Sequence, residues 1–180
     1  FNQSTESAAA IASIFGWMNL FARGMGGFIS DWANARMGMR GRIVVHTLFL
    51  LLEGILVLVF AQTKSLTSAI VVMVFFSLNV QAAEGTSYGI VPYVDPPSTG
   101  SIAGIVGAGG NTGAVCFGLG FRQLSYEKAF MIMGFSIIGS SLLSVFIYIK
   151  GYSALFFGED TLEEERKATL SAPDGEDVEA

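Results

Sequence analysis

One cysteine and one histidine are all that the 180 residues contain of either type. An internal disulfide is therefore excluded, and neither a metal site built from clustered His and Cys nor a Cys/His nucleophile–base pair has the residues it needs. No enzyme activity, cofactor or metal is expected. Charge is scarce as well: 14% of the residues are charged against 52% hydrophobic, and the mean hydropathy is +0.56. Such a chain is too apolar for a surface that must face water, so its expected solvent is the lipid bilayer. Nine of the fifteen acids lie beyond Lys150, so the net charge of -5 belongs to the end of the chain. The eight basic residues up to Lys150 sit mostly at the ends of apolar runs and form no surface for nucleic acid.

What is plentiful is apolar sequence in long runs. A bilayer core of about 30 Å takes roughly 20 apolar residues in helix, and five segments are long enough: 8–30, 43–61, 66–90, 99–121 and 126–149. Short polar breaks separate them, the third made firm by Pro92, Pro96 and Pro97. Connections this short join antiparallel neighbours, which predicts an all-α, polytopic, up-and-down membrane bundle over residues 1–150. Arg36, Arg40, Arg42 and Lys150 against Lys64, Arg122 and Lys128 place the first break and Lys150 on the cytoplasmic side by the positive-inside rule. The opening stretch 2–6 is polar and lacks a basic n-region, so it reads as a loop and not as a signal peptide.

Residues 151–180 change character, with Glu159-Asp160, Glu163-Glu164-Glu165 and few large apolar side chains. This composition predicts a solvated, disordered cytoplasmic tail, within which 161–170 has the makings of a short helix. Cys116, inside an apolar run, reads as a small packing residue.

Against this apolar background a few polar residues demand a reason. Arg23 lies within the first segment, where a charge costs about 2.5–3.5 kcal/mol near the bilayer centre. Helical spacing aligns it with Gly16, Asn19, Gly27 and Ser30, a small and polar stripe opposite Phe15, Leu20 and Phe28. A guanidinium there can snorkel to the headgroups, or hold a planar oxyanion through two parallel hydrogen bonds. In the fourth segment Gly100, Gly104, Gly107, Asn111 and Gly118 share a face, which predicts close helix approach with an amide near mid-membrane. Glu53 and Glu84 are carboxyls within membrane segments, candidates for proton coupling or for hydrogen bonds between helices. His46 reads as an interfacial residue at the inner end of its helix.

Three runs carry a family resemblance. Gly27-Phe28-Ile29-Ser30-Asp31 followed by Arg36-Met37-Gly38-Met39-Arg40-Gly41-Arg42 resembles the cytoplasmic signature loop of the major facilitator superfamily. Gly107-Ala108-Gly109-Gly110-Asn111-Thr112-Gly113 resembles the second nitrate signature of the nitrate/nitrite porter family. Ala82-Ala83-Glu84-Gly85-Thr86-Ser87-Tyr88-Gly89-Ile90-Val91-Pro92 and Phe21-Ala22-Arg23-Gly24-Met25-Gly26-Gly27 are similar to the tenth and eighth helices of its eukaryotic members. The loop Asp95-Pro96-Pro97 departs from the basic residues expected there.

The resemblance implies that the five segments are helices eight to twelve of a twelve-helix transporter, with an N-terminal half outside this sequence that carries a second nitrate-binding arginine. It implies secondary active transport of nitrate, and of nitrite, by alternating access, with another small solute or organic anion as the alternative substrate class. It assigns Arg23, Asn111, Tyr88, Asn19, Gly107 and Gly110 to the substrate, and Gly27, Asp31, Arg36 and Arg40 to gating at the signature loop. A coupling proton or sodium ion, through Glu53 or Glu84, and an accessory subunit are the further expected partners, in the plasma membrane.

Overall fold

The computed structural model describes residues 4–161. They form five helices: α1 (Thr5–Met37), α2 (Met39–Ala61), α3 (Leu66–Val94), α4 (Thr99–Gln123) and α5 (Tyr126–Ser144). Among the described residues there is no strand, and the all-α bundle is as expected. Three helical stretches, Met39–Ala61, Leu66–Val94 and Pro96–Gln123, are long and apolar enough to cross a membrane. Ser4, Ser65 and Ser125 each accept a hydrogen bond from the backbone N–H three residues on and so start α1, α3 and α5.

Two of the expected breaks are shorter than the polar composition suggested. The chain turns between α1 and α2 on Gly38 alone, whose φ of 63° is readily available only to glycine. The third break begins late, because α3 continues through Pro92 to Val94. Pro92 lacks an N–H to donate and costs that helix a bond, yet the chain leaves the helix only at Asp95, held extended by the proline that follows it. Pro96–Ser98 then forms one turn of 3-10 helix that leads into α4.

The bundle is held by small residues, of which the sequence pattern had put only Ser30 on the stripe of α1. Ala22, Gly26, Ser30 and Ala33 are the buried stripe of α1. A Cβ on Gly26 would fall on the Ala82 carbonyl, and one on Gly85 would fall on the Arg23 carbonyl, so the backbones of α1 and α3 touch. On the far side of α2, a Cβ on Gly54 would stand 3.1 Å from the Gly134 carbonyl oxygen, and one on Gly134 would stand 3.1 Å from the Gly54 carbonyl oxygen. Hydroxyls add to this seam between α2 and α5: Ser144 donates to the Ser141 carbonyl (2.7 Å), so the Thr47–Ser144 bond of 2.8 Å is donated by Thr47.

The glycines of α4 do none of this. No residue of α4 is buried, Gly107 alone among its glycines has an atom within van der Waals reach of an added Cβ, and among the described residues the helix packs chiefly on α3, α5 and the 3-10 turn. The close approach expected for its glycine face is therefore absent among the described residues, and Cys116 on α4 is exposed. His46 departs from expectation in the other direction, being buried with Nδ1 2.8 Å from the Thr86 hydroxyl. The Thr86 hydroxyl is also 2.7 Å from the Ala83 carbonyl oxygen, so the His46 ring is tied to α3.

The last helix ends at Ser144, short of the expected 149, and the chain folds across the end of the bundle. Ile149 joins Met39, Ile43 and Ile90 in a buried cluster flanked by Tyr93, Tyr152 and Leu155. The start of the expected tail therefore packs: Ser153 and Ala154 are buried, and the Asp160 carboxylate accepts from the Met39 and Ser153 backbone N–H groups and from the Ser153 hydroxyl. The short helix expected over 161–170 and the rest of the tail lie outside the described residues.

Candidate functional site

Arg23 stands on α1 one turn before Gly27, on the side that meets α3. There it is ion-paired with Glu84, Nη2 on Oε2, both side chains about two-fifths exposed (42% and 40%). The pair exists because Gly85 lets the α1 backbone come down onto α3, which sets the carboxyl of the preceding residue beside the guanidinium. The contact is single. Nε of Arg23 is buried with no partner among the described residues, a donor still open to a second acceptor.

Glu84 also faces a cleft of about 450 Å³ between α2, α3 and α4. Glu53 from α2, Ser87 and Tyr88 from α3, and Gly107, Gly110 and Asn111 from α4 line it with Glu84. The glycines have a use here after all: with no side chains at Gly107 and Gly110, the cleft wall is backbone, and the Tyr88 hydroxyl stands 3.5 Å from where a Gly107 Cβ would be. The cleft thus gathers a hydroxyl, a phenol, an amide and two carboxyls, with the arginine behind one of them.

Of the residues expected to meet the substrate, Asn111, Tyr88, Gly107 and Gly110 line the cleft, and Arg23 reaches it through Glu84. Asn19 is exposed on α1 and is not in the lining. Glu53 and Glu84, alike in sequence, are unlike in place: Glu84 is bonded to Arg23, and Glu53 is buried at the cleft wall with no ion pair among the described residues. Ser87 was missed, having no signal beyond its spacing of three from Glu84.

No protein-family model matches the chain, and no solved structure matches it. Named relatives do. The chain is 39% identical to high affinity nitrate transporter 2.5 of Arabidopsis thaliana over 161 residues, 88% of this chain and 32% of that protein. It is 40% identical to nitrate transporter 2.1 of Chlamydomonas reinhardtii, over 88% of this chain and 30% of that protein. It is 42% identical to the nitrate/nitrite transporter NrtP of Picosynechococcus over 118 residues, 65% of this chain. Over the segment it spans, the chain is similar to proteins named as nitrate and nitrate/nitrite transporters. It spans about a third of the length of the first two relatives. With its long apolar helices it is an integral membrane protein, and the relatives bear the names of carriers and not of enzymes.

The arginines of the signature loop go to different partners. The partner of Asp31 is Arg42, at 2.7 Å, and neither Arg36 nor Arg40. Arg42 is buried, donates to the Ser30 hydroxyl (3.3 Å) and the Tyr93 hydroxyl (3.0 Å), and lies 4.9 Å over the Tyr93 ring. Arg36 stacks on Trp32 one turn back, at 3.7 Å, while Arg40 bonds the Ala154 carbonyl (3.2 Å). The sequence put Arg42 in a polar break. Its register one helical turn before His46, inside α2, was the sign that it points inward.

Proposed function

We propose that this chain is the C-terminal half of a secondary transporter that carries nitrate, and nitrite, across the plasma membrane by alternating access, its tail in the cytoplasm. One observation carries the reading most: the Arg23 guanidinium, whose Nε has no partner among the described residues, stands behind Glu84 at a cleft walled by Gly107, Gly110 and Asn111. Nitrate is a planar anion at any physiological pH, so holding it in a dry cavity takes fixed positive charge and directed N–H donors, which an arginine supplies in a fork. The relatives named as nitrate transporters support the substrate.

On this reading Arg23 and Asn111 hold the anion from this half, Tyr88 shapes the wall, and Gly107 and Gly110 let it approach the backbone of α4. The absent N-terminal half closes the cleft, and Asp31, Gly27 and the Arg36–Arg42 turn take part in gating. Driving an anion into a negative interior costs about 2.3 kcal/mol per 100 mV, so uptake needs a coupling cation. An accessory subunit completes the expected partners. Another small solute is the second reading, since the chain is also 30% identical to elsinochrome transporter 1 of Elsinoe fawcettii. The test is uptake of labelled nitrate by the full-length carrier in proteoliposomes. Saturable uptake that an excess of nitrite inhibits and an organic solute does not supports the reading; no nitrate uptake by folded carrier overturns it.

A further inference from the structure

The ion pair at the cleft poses a problem for the anion reading that leads beyond it. Arg23 is already neutralised by Glu84, and Glu53 lies on the same wall. With both carboxyls ionised, this half of the site carries one positive and two negative charges, so an arriving anion meets net repulsion and finds its guanidinium taken. Something must give way before Arg23 can hold a substrate.

Glu84 has the shape and place to be what gives way. A carboxylate presents the same planar pair of oxygens to a guanidinium that nitrate does, and here it does so from a side chain that also lines the cleft. Its grip is partial: Nη2 is engaged and Nε has no partner among the described residues, whereas a free planar oxyanion can engage both donors at once. We propose that Glu84 is a tethered competitor for the anion on Arg23, displaced when it takes up a proton. The proton comes from water on the open side and converts the carboxylate to a neutral acid, Arg23 stays protonated, and the anion takes the place of the carboxylate. One proton then travels with each anion, and this step adds no net charge.

The other groups around Glu84 leave it this role. From α1 the group facing it is Arg23; from α2 it is Glu53, which has no cation beside it; Tyr88 follows one turn on along α3; and α4 contributes the neutral Asn111. His46, also on α2, is engaged with Thr86. Glu84 alone among them is in contact with the guanidinium that the anion requires.

This inference rests on the nitrate reading, and its test separates the two. Nitrate binding to the full-length carrier is followed calorimetrically in buffers of different ionisation enthalpy, across acid and alkaline pH, for wild type and Glu84→Gln. Wild type is expected to take up about one proton per nitrate on the alkaline side, with affinity falling up to about tenfold per pH unit. Glu84→Gln, which mimics the protonated acid, is expected to bind nitrate more tightly than wild type at alkaline pH, with that proton uptake gone. A residue that merely positions Arg23 would give the opposite sign, weaker binding with the pH slope intact, and that result overturns the proposal. If the variant does not fold, proton uptake by wild type decides alone: nitrate bound without a proton refutes Glu84 as competitor. No nitrate binding by folded wild type overturns the functional reading and this inference with it.

Discussion

The α1–α3 contact gives the most quantitative test of the fold. Gly85→Ala adds one methyl at a point where the Arg23 carbonyl oxygen already stands, with the Arg23 carbonyl carbon 3.0 Å and the Gly27 nitrogen 3.2 Å from the new atom. All three obstacles are backbone, so no rotamer change relieves them and the helices must separate. Overpacking of this kind costs about 1–3 kcal/mol, and a backbone obstacle puts Gly85 at the upper end. Alanine returns up to about 1 kcal/mol of helix propensity relative to glycine, which leaves a net loss near 2 kcal/mol, roughly 30-fold in the folded population. Gly24→Ala is the control, since nothing lies within 4 Å of its added Cβ; it should be neutral or slightly stabilising. The assay is the midpoint of thermal unfolding of the purified full-length carrier, by monodispersity after heating. A Gly85→Ala midpoint equal to that of Gly24→Ala would show that α1 and α3 are not in backbone contact.

Other outcomes follow from the same geometry. Arg23→Lys keeps the charge but not the planar fork, and should lose most nitrate uptake at normal expression; normal uptake would reduce Arg23 to a headgroup anchor. Asn111→Ala should lower nitrate affinity about tenfold, or about 1.4 kcal/mol, with folded yield unchanged, a loss larger than the roughly 0.6 kcal/mol average for an interhelical hydrogen bond in a membrane. Arg42→Leu should destabilise the carrier more than Arg36→Leu, because Arg42 is buried with three polar partners and Arg36 sits on the exposed Trp32; equal midpoints would contradict the burial.

What could be read from the sequence was whatever depends on run length and on residue type within a run. The five helices needed only the apolar lengths, whereas Gly107, Gly110 and Asn111 were set at the substrate only by the family resemblance, since poor helix formers in a run pointed instead to close helix approach. Partnership was harder. Glu53 and Glu84 are equivalent in composition and environment, and only the packing of Gly85 on α1 decides that Glu84 meets the arginine. Likewise Arg36, Arg40 and Arg42 form one basic run in the sequence, but the Gly38 turn leaves the first on α1 and the other two on α2, and they reach in three directions, to Trp32, to Ala154 and to Asp31. Glycine was misjudged for a related reason. A stripe of glycines announces space but not what fills it, and the tight contacts between helices here fall at Gly26, Gly41, Gly54, Gly85 and Gly134.

The segment after α5 shows how a charged residue in an acidic stretch acquires a structural task. Asp160 holds the first backbone N–H of α2 (Met39 N, 3.3 Å) as well as the Ser153 N–H (2.8 Å) and hydroxyl (2.9 Å). It therefore does from a distance what an N-cap residue does locally, accepting from a helix start that has no side-chain cap of its own, and its charge suits the positive end of the helix. Gly38 makes room for it, since a Cβ there would stand 2.6 Å from the Asp160 carboxyl carbon. Removing a cap costs typically about 1 kcal/mol, so Asp160→Ala should speed hydrogen exchange at the Met39 and Ser153 amides roughly fivefold, if exchange follows local opening. Asp160→Asn keeps an acceptor oxygen and loses the charge, and should fall between alanine and wild type. Exchange at Met39 unchanged in Asp160→Ala would mean that the segment lies against the turn without holding it.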